Sequence, residues 1–253
     1  MLRTIRRAAA LVTLALLAGC TTTAPAPDAT TSPAGATSSA TATAEPTTIR
    51  IASLKGPTTM GMVRLMADAE AGETTHDYQV TMYGTADEVV PLVVQGQVDI
   101  ALVPANLAAV LYNRTEGAVQ VAAVNTLGVL YVVETGETVE SVADLAGRTI
   151  YSTGKGTSPE YVLNHILDQN GLDPATDLTV EFRSEATELA VLLAEADDAV
   201  AVLPQPYVTI VQSQNPEVRV ALSLTDEWDA VSPESGLVTG VLLVRREFAE
   251  AND

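Results

Sequence analysis

Arg50-Ile-Ala-Ser-Leu-Lys-Gly-Pro-Thr-Thr59 and Arg148-Thr-Ile-Tyr-Ser-Thr-Gly-Lys-Gly-Thr-Ser158 hold the only two lysines of this 253-residue chain, Lys55 and Lys155. Each stretch reads as a short strand, a Gly-containing turn that carries the lysine, and a hydroxyl-bearing helix start. A turn of that kind directs a cation, free backbone N–H groups and the positive end of a helix dipole at one point. Two of them, one from each half of an acidic chain, predict a ligand held between two lobes.

Outward from these turns, strand and helix signals alternate. Strands are expected at Thr48–Ser53, Tyr78–Met82, Val98–Val103, Val119–Val124, Gly128–Glu134, Asp177–Phe182, Ala199–Leu203, Val218–Leu222 and Val238–Val244. Helices are expected at Thr59–Ala71, after Thr85, at Pro104–Arg114, Val139–Leu145, Pro159–Gln169, Thr187–Ala196 and Gln205–Gln212. Only a polar stretch is expected around Trp228. This rhythm gives an α/β fold, and its restart near Asn125–Leu127 gives two successive units.

The ends carry different signals. Residues 1–19 have the basic start (Arg3, Arg6, Arg7) and apolar run of a secretory signal, too short to remain as a spanning helix. Leu17-Ala18-Gly19-Cys20 resembles a bacterial lipobox, which implies lipidation of Cys20 and anchoring to the cell membrane. Cys20 is the only cysteine, so an internal disulfide and a catalytic thiol are both excluded. Residues 20–47 are Thr, Ala, Ser and Pro with few acids, a composition that buries no core and suits a disordered tether. Removing residues 1–19 takes away three arginines and no acids, moving the formal charge from −19 to −22. Nucleic acid is therefore an unfavourable partner.

Ile51-Ala-Ser-Leu-Lys-Gly-Pro-Thr-Thr59, Val94-Gln-Gly-Gln-Val-Asp-Ile-Ala-Leu-Val-Pro104, Val139-Glu-Ser-Val-Ala-Asp-Leu-Ala-Gly147, Lys155-Gly-Thr-Ser158 and Leu203-Pro-Gln-Pro206 together resemble the substrate-binding proteins of ABC importers. The branch is that of nitrate, taurine, alkanesulfonate and thiamine-precursor binders. The resemblance implies a two-lobe, type II periplasmic-binding-protein-like fold, each lobe a mixed sheet flanked by helices. Residues 48–125 with 239–253 would form lobe I, and 126–238 lobe II. It further implies an extracytoplasmic protein, monomeric, that captures a small polar or anionic organic molecule and delivers it to an ABC permease and ATPase. Family members usually continue beyond the return strand, so a C-terminally short first lobe is expected. The other readings are a cofactor-biosynthesis enzyme on the same fold and a membrane-tethered sensory module.

Candidate ligand contacts follow from strand ends and helix starts, where open α/β sheets bind their ligands. They are Lys55, Thr58, Thr59, Gly84, Thr85, Asn106, Asn125, Lys155, Thr157, Ser158, Gln205 and Tyr207. Capping is the competing role for the hydroxyls, turn formation for the asparagines, and core packing for Tyr83, Tyr151 and Tyr207. His76 and His165 share no metal-ligand spacing. Neither a nucleophile elbow nor a Walker-type loop is present, so catalysis, cofactor and metal are not expected.

Overall fold

Val132 and Val133, adjacent in sequence, belong to different hydrophobic clusters, and Val200 and Val202 are likewise separated from Ala201 and Leu203. Such strict alternation in a buried strand requires a sheet covered on both faces. The computed structural model describes residues 45–252 and shows that architecture twice. In chain order the elements are β1 (Thr48–Leu54), α1 (Pro57–Met60), α2 (Val63–Glu70), β2 (Asp77–Tyr83), α3 (Ala86–Val94), β3 (Ile100–Pro104), α4 (Asn106–Arg114) and β4 (Val119–Leu127). There follow β5 (Leu130–Thr135), β6 (Thr149–Ser152), α5 (Ser158–Gln169), β7 (Thr179–Phe182), α6 (Ala186–Glu195), β8 (Val200–Pro204), α7 (Tyr207–Gln214) and β9 (Val218–Ser223). The chain ends with α8 (Leu224–Val231), β10 (Val238–Arg245) and α9 (Arg246–Ala251). The expected signal, Cys20 and most of the expected tether lie outside the described residues.

The first sheet has the order β2-β1-β3-β10-β4 and the second β7-β6-β8-β5-β9. In each, four strands run in one direction and the fourth in order runs antiparallel to its two neighbours. The sheets are thus topological copies, with β1 matching β6, β2 matching β7 and β3 matching β8. Each antiparallel strand, β10 or β5, reaches its sheet directly from the other half of the chain. Asn125–Leu127, expected to cross between the units, belongs to β4 at the first sheet's edge, and the chain crosses through Gly128 and Val129 instead. Both have positive φ, 61° and 75°. For β-branched Val129 that conformation is strained. Gly128 N donates to Leu237 O at 2.9 Å, and Thr239 Oγ1 donates to Gly128 O at 3.0 Å, tying the outgoing and returning segments side by side.

In the second sheet α5 and α8 cover one face through Leu163, Ile166, Leu167 and Leu224, while α6 and α7 cover the other through Leu189, Leu193, Val208 and Val211. In the first sheet α3 and α4 bury Val89, Val93, Leu107 and Leu111. Its opposite face holds a smaller cluster of Ile49, Ile51 and Leu102, flanked by Met62 and Phe248. Asp99, 3% exposed, fastens three strands. Arg50 donates through Nε, Nη2 and its backbone N at 2.8–3.0 Å, and Arg245 Nη2 donates at 2.9 Å. Burial raises the Asp99 pKa, but the hydrogen bonds and charge of Arg50, with Arg245, outweigh it and hold the pKa at about 2. In the second sheet fully buried Glu134 accepts from Arg219, Thr138 and Val139 N, and its pKa is lowered despite desolvation.

Three local expectations change. The helix expected at Thr59–Ala71 is broken, α1 ending at Met60 and α2 starting at Val63, with Gly61 between them. Of Val139–Leu145 only Val142–Leu145 is helical, as a 3-10 turn closed by a Ser141/Asp144 capping box. The polar stretch around Trp228 is α8, whose cap Ser223 Oγ accepts from Asp226 N. His165 stacks on Trp228 with ring centroids 4.8 Å apart, and its Nε2 lies 2.9 Å from Ser232 Oγ.

Candidate functional site

The two sheets direct the C-terminal ends of equivalent strands toward one cleft of about 390 Å³. Lys55 and Pro57 follow β1, and Thr153, Gly154 and Lys155 follow β6. Gly84 and Thr85 follow β2, and Arg183, Ser184 and Glu185 follow β7. Pro104 and Pro204 end β3 and β8. Lys55 and Lys155, Thr85 and Glu185, Glu88 and Glu188, and Pro104 and Pro204 keep one constant sequence offset. The lysines are therefore equivalent in topology as well as in sequence.

First-turn residues of several helices also line the cleft: Ala86 and Asp87 of α3, Pro159 of α5, Ala186 of α6 and Tyr207 of α7. Apart from Pro159, which has no N–H, these first-turn residues offer N–H groups, and the helix dipoles add positive potential. In lobe I, Thr85 and Glu88 form a capping box, and the hydrogen bonds from Thr85 keep Glu88 below the usual carboxylate range. The positive φ of Gly154 (70°) brings Thr157 Oγ1 onto Gly154 O, and a Cβ at Gly154 would lie 2.5 Å from that hydroxyl oxygen. Glycine is needed there for the Lys155 turn to close.

Five charged side chains face the cavity. Lys55 Nζ is 3.3 Å from Glu185 Oε1, and Arg183 is bonded to Glu181 at 3.0 Å while its guanidinium stands 5.1 Å over the Tyr151 ring. Lys155 Nζ sits 5.8 Å over Phe182 and has no carboxylate partner among the described residues. Asp87 is the fifth. Apolar walls come from Leu54, Val129, Leu130, Phe182 and Tyr207. Thr126 is 5% exposed, lines the cleft, and has an Oγ1 without a hydrogen-bond partner.

Of the twelve residues expected at the site, Lys55, Thr58, Gly84, Thr85, Lys155, Thr157 and Tyr207 line the cavity. The other five lie around it. Thr59 is buried against Ser53 and donates to Leu54 O. Asn125 Nδ2 donates to Thr58 O at 3.0 Å, supporting the first lysine turn. Asn106 Nδ2 donates across the cleft to Gly156 O at 3.0 Å, and Ser158 Oγ donates to Asn106 Oδ1 at 3.4 Å. Gln205, ahead of α7, accepts through Oε1 from Thr209 N and Oγ1 of that helix. Sequence reading missed Arg183-Ser184-Glu185, whose signal is positional: they are the second-lobe counterpart of Gly84-Thr85. The described residues contain no cluster of metal-ligating side chains.

Comparisons with known proteins agree with this geometry. A family model described as the periplasmic phosphonate substrate-binding protein of ABC transporters matches residues 66–247. No curated protein sequence matches. Among solved structures, the alkanesulfonate-binding protein SsuA of Xanthomonas axonopodis pv. citri, bound to MOPS, has a TM-score of 0.58 at 18% identity, covering 82% of this chain and 68% of that one. The aliphatic sulphonate binding protein SsuA of Escherichia coli gives 0.60 at 18% identity with the same coverages. A binding protein component of an ABC phosphonate transporter from Pseudomonas aeruginosa gives 0.55 at 13%, covering 81% and 72%. At these identities the structures establish the fold, and the matched span establishes the family. With two copies of one lobe topology, a cleft at their strand ends and a family match across most of its length, the chain belongs to the periplasmic substrate-binding proteins of ABC transporters, extracytoplasmic components that pass a small molecule to a permease and its ATPase.

Proposed function

We propose that this protein captures an organic anion of the sulfonate or phosphonate class in the cleft between residues 48–125 with 239–253 and residues 126–238. The observation that carries the reading is Lys155, a cleft cation with no carboxylate partner among the described residues, three residues ahead of twelve-residue α5 and lining the same cleft as Arg183. Lys155, Arg183 and Thr157 would hold the anionic head, and Leu130, Phe182 and Tyr207 would pack its organic part. Lys55, Thr58, Gly84 and Thr85 would close over it from the first lobe. Thr59, Asn125 and Gln205 act by positioning these groups, and Asn106 and Ser158 by joining the lobes. The family matched by residues 66–247 and the sulfonate- and phosphonate-binding relatives support that ligand class.

In this reading the protein is a monomer held to the membrane by lipid on Cys20, with residues 20–47 as its tether. Isothermal titration with methanesulfonate, methylphosphonate, acetate, inorganic phosphate and a pyrimidine tests it. Saturable binding of an organic anion that weakens tenfold or more in Lys155→Ala is expected, since a charge-assisted bond contributes about 1.5–3 kcal/mol. Binding unaffected by Lys155→Ala would overturn the assignment.

A further inference from the structure

Glu185 stands where its first-lobe counterpart, Thr85, caps a helix. Backbone angles at the two N-cap positions are nearly the same, φ −129° and ψ 154° at Thr85, φ −130° and ψ 153° at Glu185. Their side chains behave differently. Thr85 closes a capping box with Glu88, whereas Glu185 makes no side-chain cap bond to α6. One carboxylate oxygen, Oε2, accepts from Thr187 Oγ1 of α6 at 3.5 Å, while the other crosses the cleft to the first lobe. There Oε1 accepts from Lys55 Nζ at 3.3 Å and lies so near Gly84 that a Cβ on that residue would be 2.2 Å away. A side chain at position 84 would push the Glu185 carboxylate aside.

We infer that Glu185 is a tethered carboxylate that latches the two lobes through Lys55 while the cleft is without ligand, so that an incoming anion reaches Lys55 only by replacing it. Three observations support the assignment. An N-cap acid ordinarily satisfies the N–H groups of its own helix, and this one forgoes them. Asn106 makes a second, uncharged bridge to Gly156 and Ser158 across the same cleft. Lys55 and Glu185 keep side-chain exposures of 50% and 34%, leaving the pair open to exchange with a solute and to screening by salt. Lys155 is thereby the cation that meets a ligand first, and Lys55 joins it after the exchange. The latch is intramolecular and stands whatever the ligand class.

The test measures lobe separation without ligand. Spin labels replace Val63 on α2 and Val191 on α6, both exposed, in the full chain carrying Cys20→Ser so that only the introduced thiols react. In 50 mM salt the label distance is expected to be short and single. Glu185→Gln, Lys55→Gln or 500 mM salt should each lengthen it by several ångströms, and the double variant should go no further than either single one. Both substitutions lie at partly exposed turn positions, and a cooperative melt near that of the parent verifies folding. An unchanged distance distribution in folded Glu185→Gln, or a parent already at the long distance in low salt, overturns the latch. Methanesulfonate and methylphosphonate both failing to shorten the distance in Glu185→Gln would count against the ligand class alone.

Discussion

Replacing Asp99 by Asn removes a carboxylate that folding makes more acidic, and the size of the effect can be worked out. Its ordinary pKa is 3.8 and its folded value about 2. At about 1.36 kcal/mol per pH unit this difference amounts to about 2.4 kcal/mol. The folded pKa is depressed, so the contribution is fully present above pH 3.8 and disappears as the pH falls toward and through 2. Two-state titration puts about 1 kcal/mol of the loss above pH 3 and about 2 kcal/mol above pH 2. Urea unfolding of the wild type and Asp99→Asn from pH 7 to pH 2 isolates this share, because Glu134 and the other carboxylates titrate in both proteins. The stability gap between the two should narrow by about 2 kcal/mol over that range. A gap that stays constant would mean that Arg50 and Arg245 do not depress Asp99, and the reasoning about the β1, β3 and β10 junction would fail.

Other outcomes follow from single contacts. Leu163→Ala, at a position 1% exposed between α5 and the second sheet, should cost about 2–5 kcal/mol in denaturant unfolding. Arg219→Met leaves buried Glu134 with only its Thr138 and Val139 donors and should destabilise by about 1–3 kcal/mol, readable in the same assay. Gly154→Ala must strain a φ of 70° and displace Thr157, so titration with an organosulfonate should show affinity reduced about tenfold or more. Val129→Gly relieves the positive φ at the crossover and should raise the melting temperature by a few degrees, an unchanged or lower value contradicting strain there.

The sheets were legible because buried strands such as Val200–Leu203 alternate cleanly and helices such as α5 show both a start signal and a Gly171 stop. α8 escaped because its start signal, Ser223 ahead of Asp226, sits among so many polar residues that Leu224 and Trp228 do not stand out as an apolar stripe. The helix break at Gly61 lies between two apolar segments that share one helical phase, so periodicity alone runs through it. At the site, the scarcity of lysine located both cation turns. Strand-end position pointed to Asn106 and Asn125 as ligand contacts, but it carries no information on side-chain direction, and both donate to backbone carbonyls. Arg183 and Glu185 had no motif of their own; only superposing one sheet's topology on the other makes them visible.

The side-by-side tie of Gly128 with Leu237 and Thr239 makes the two chain passages behave like the spine of a book. Covers bound along one spine can swing but can neither slide nor twist independently. Distances from several label pairs across the cleft should therefore change in fixed proportion as salt releases the Lys55–Glu185 pair, and any pair departing from that proportion would reveal a second mode. A membrane partner facing such a protein receives one number, an angle, and a solute held by one cover alone leaves that number unchanged however firmly it clings there.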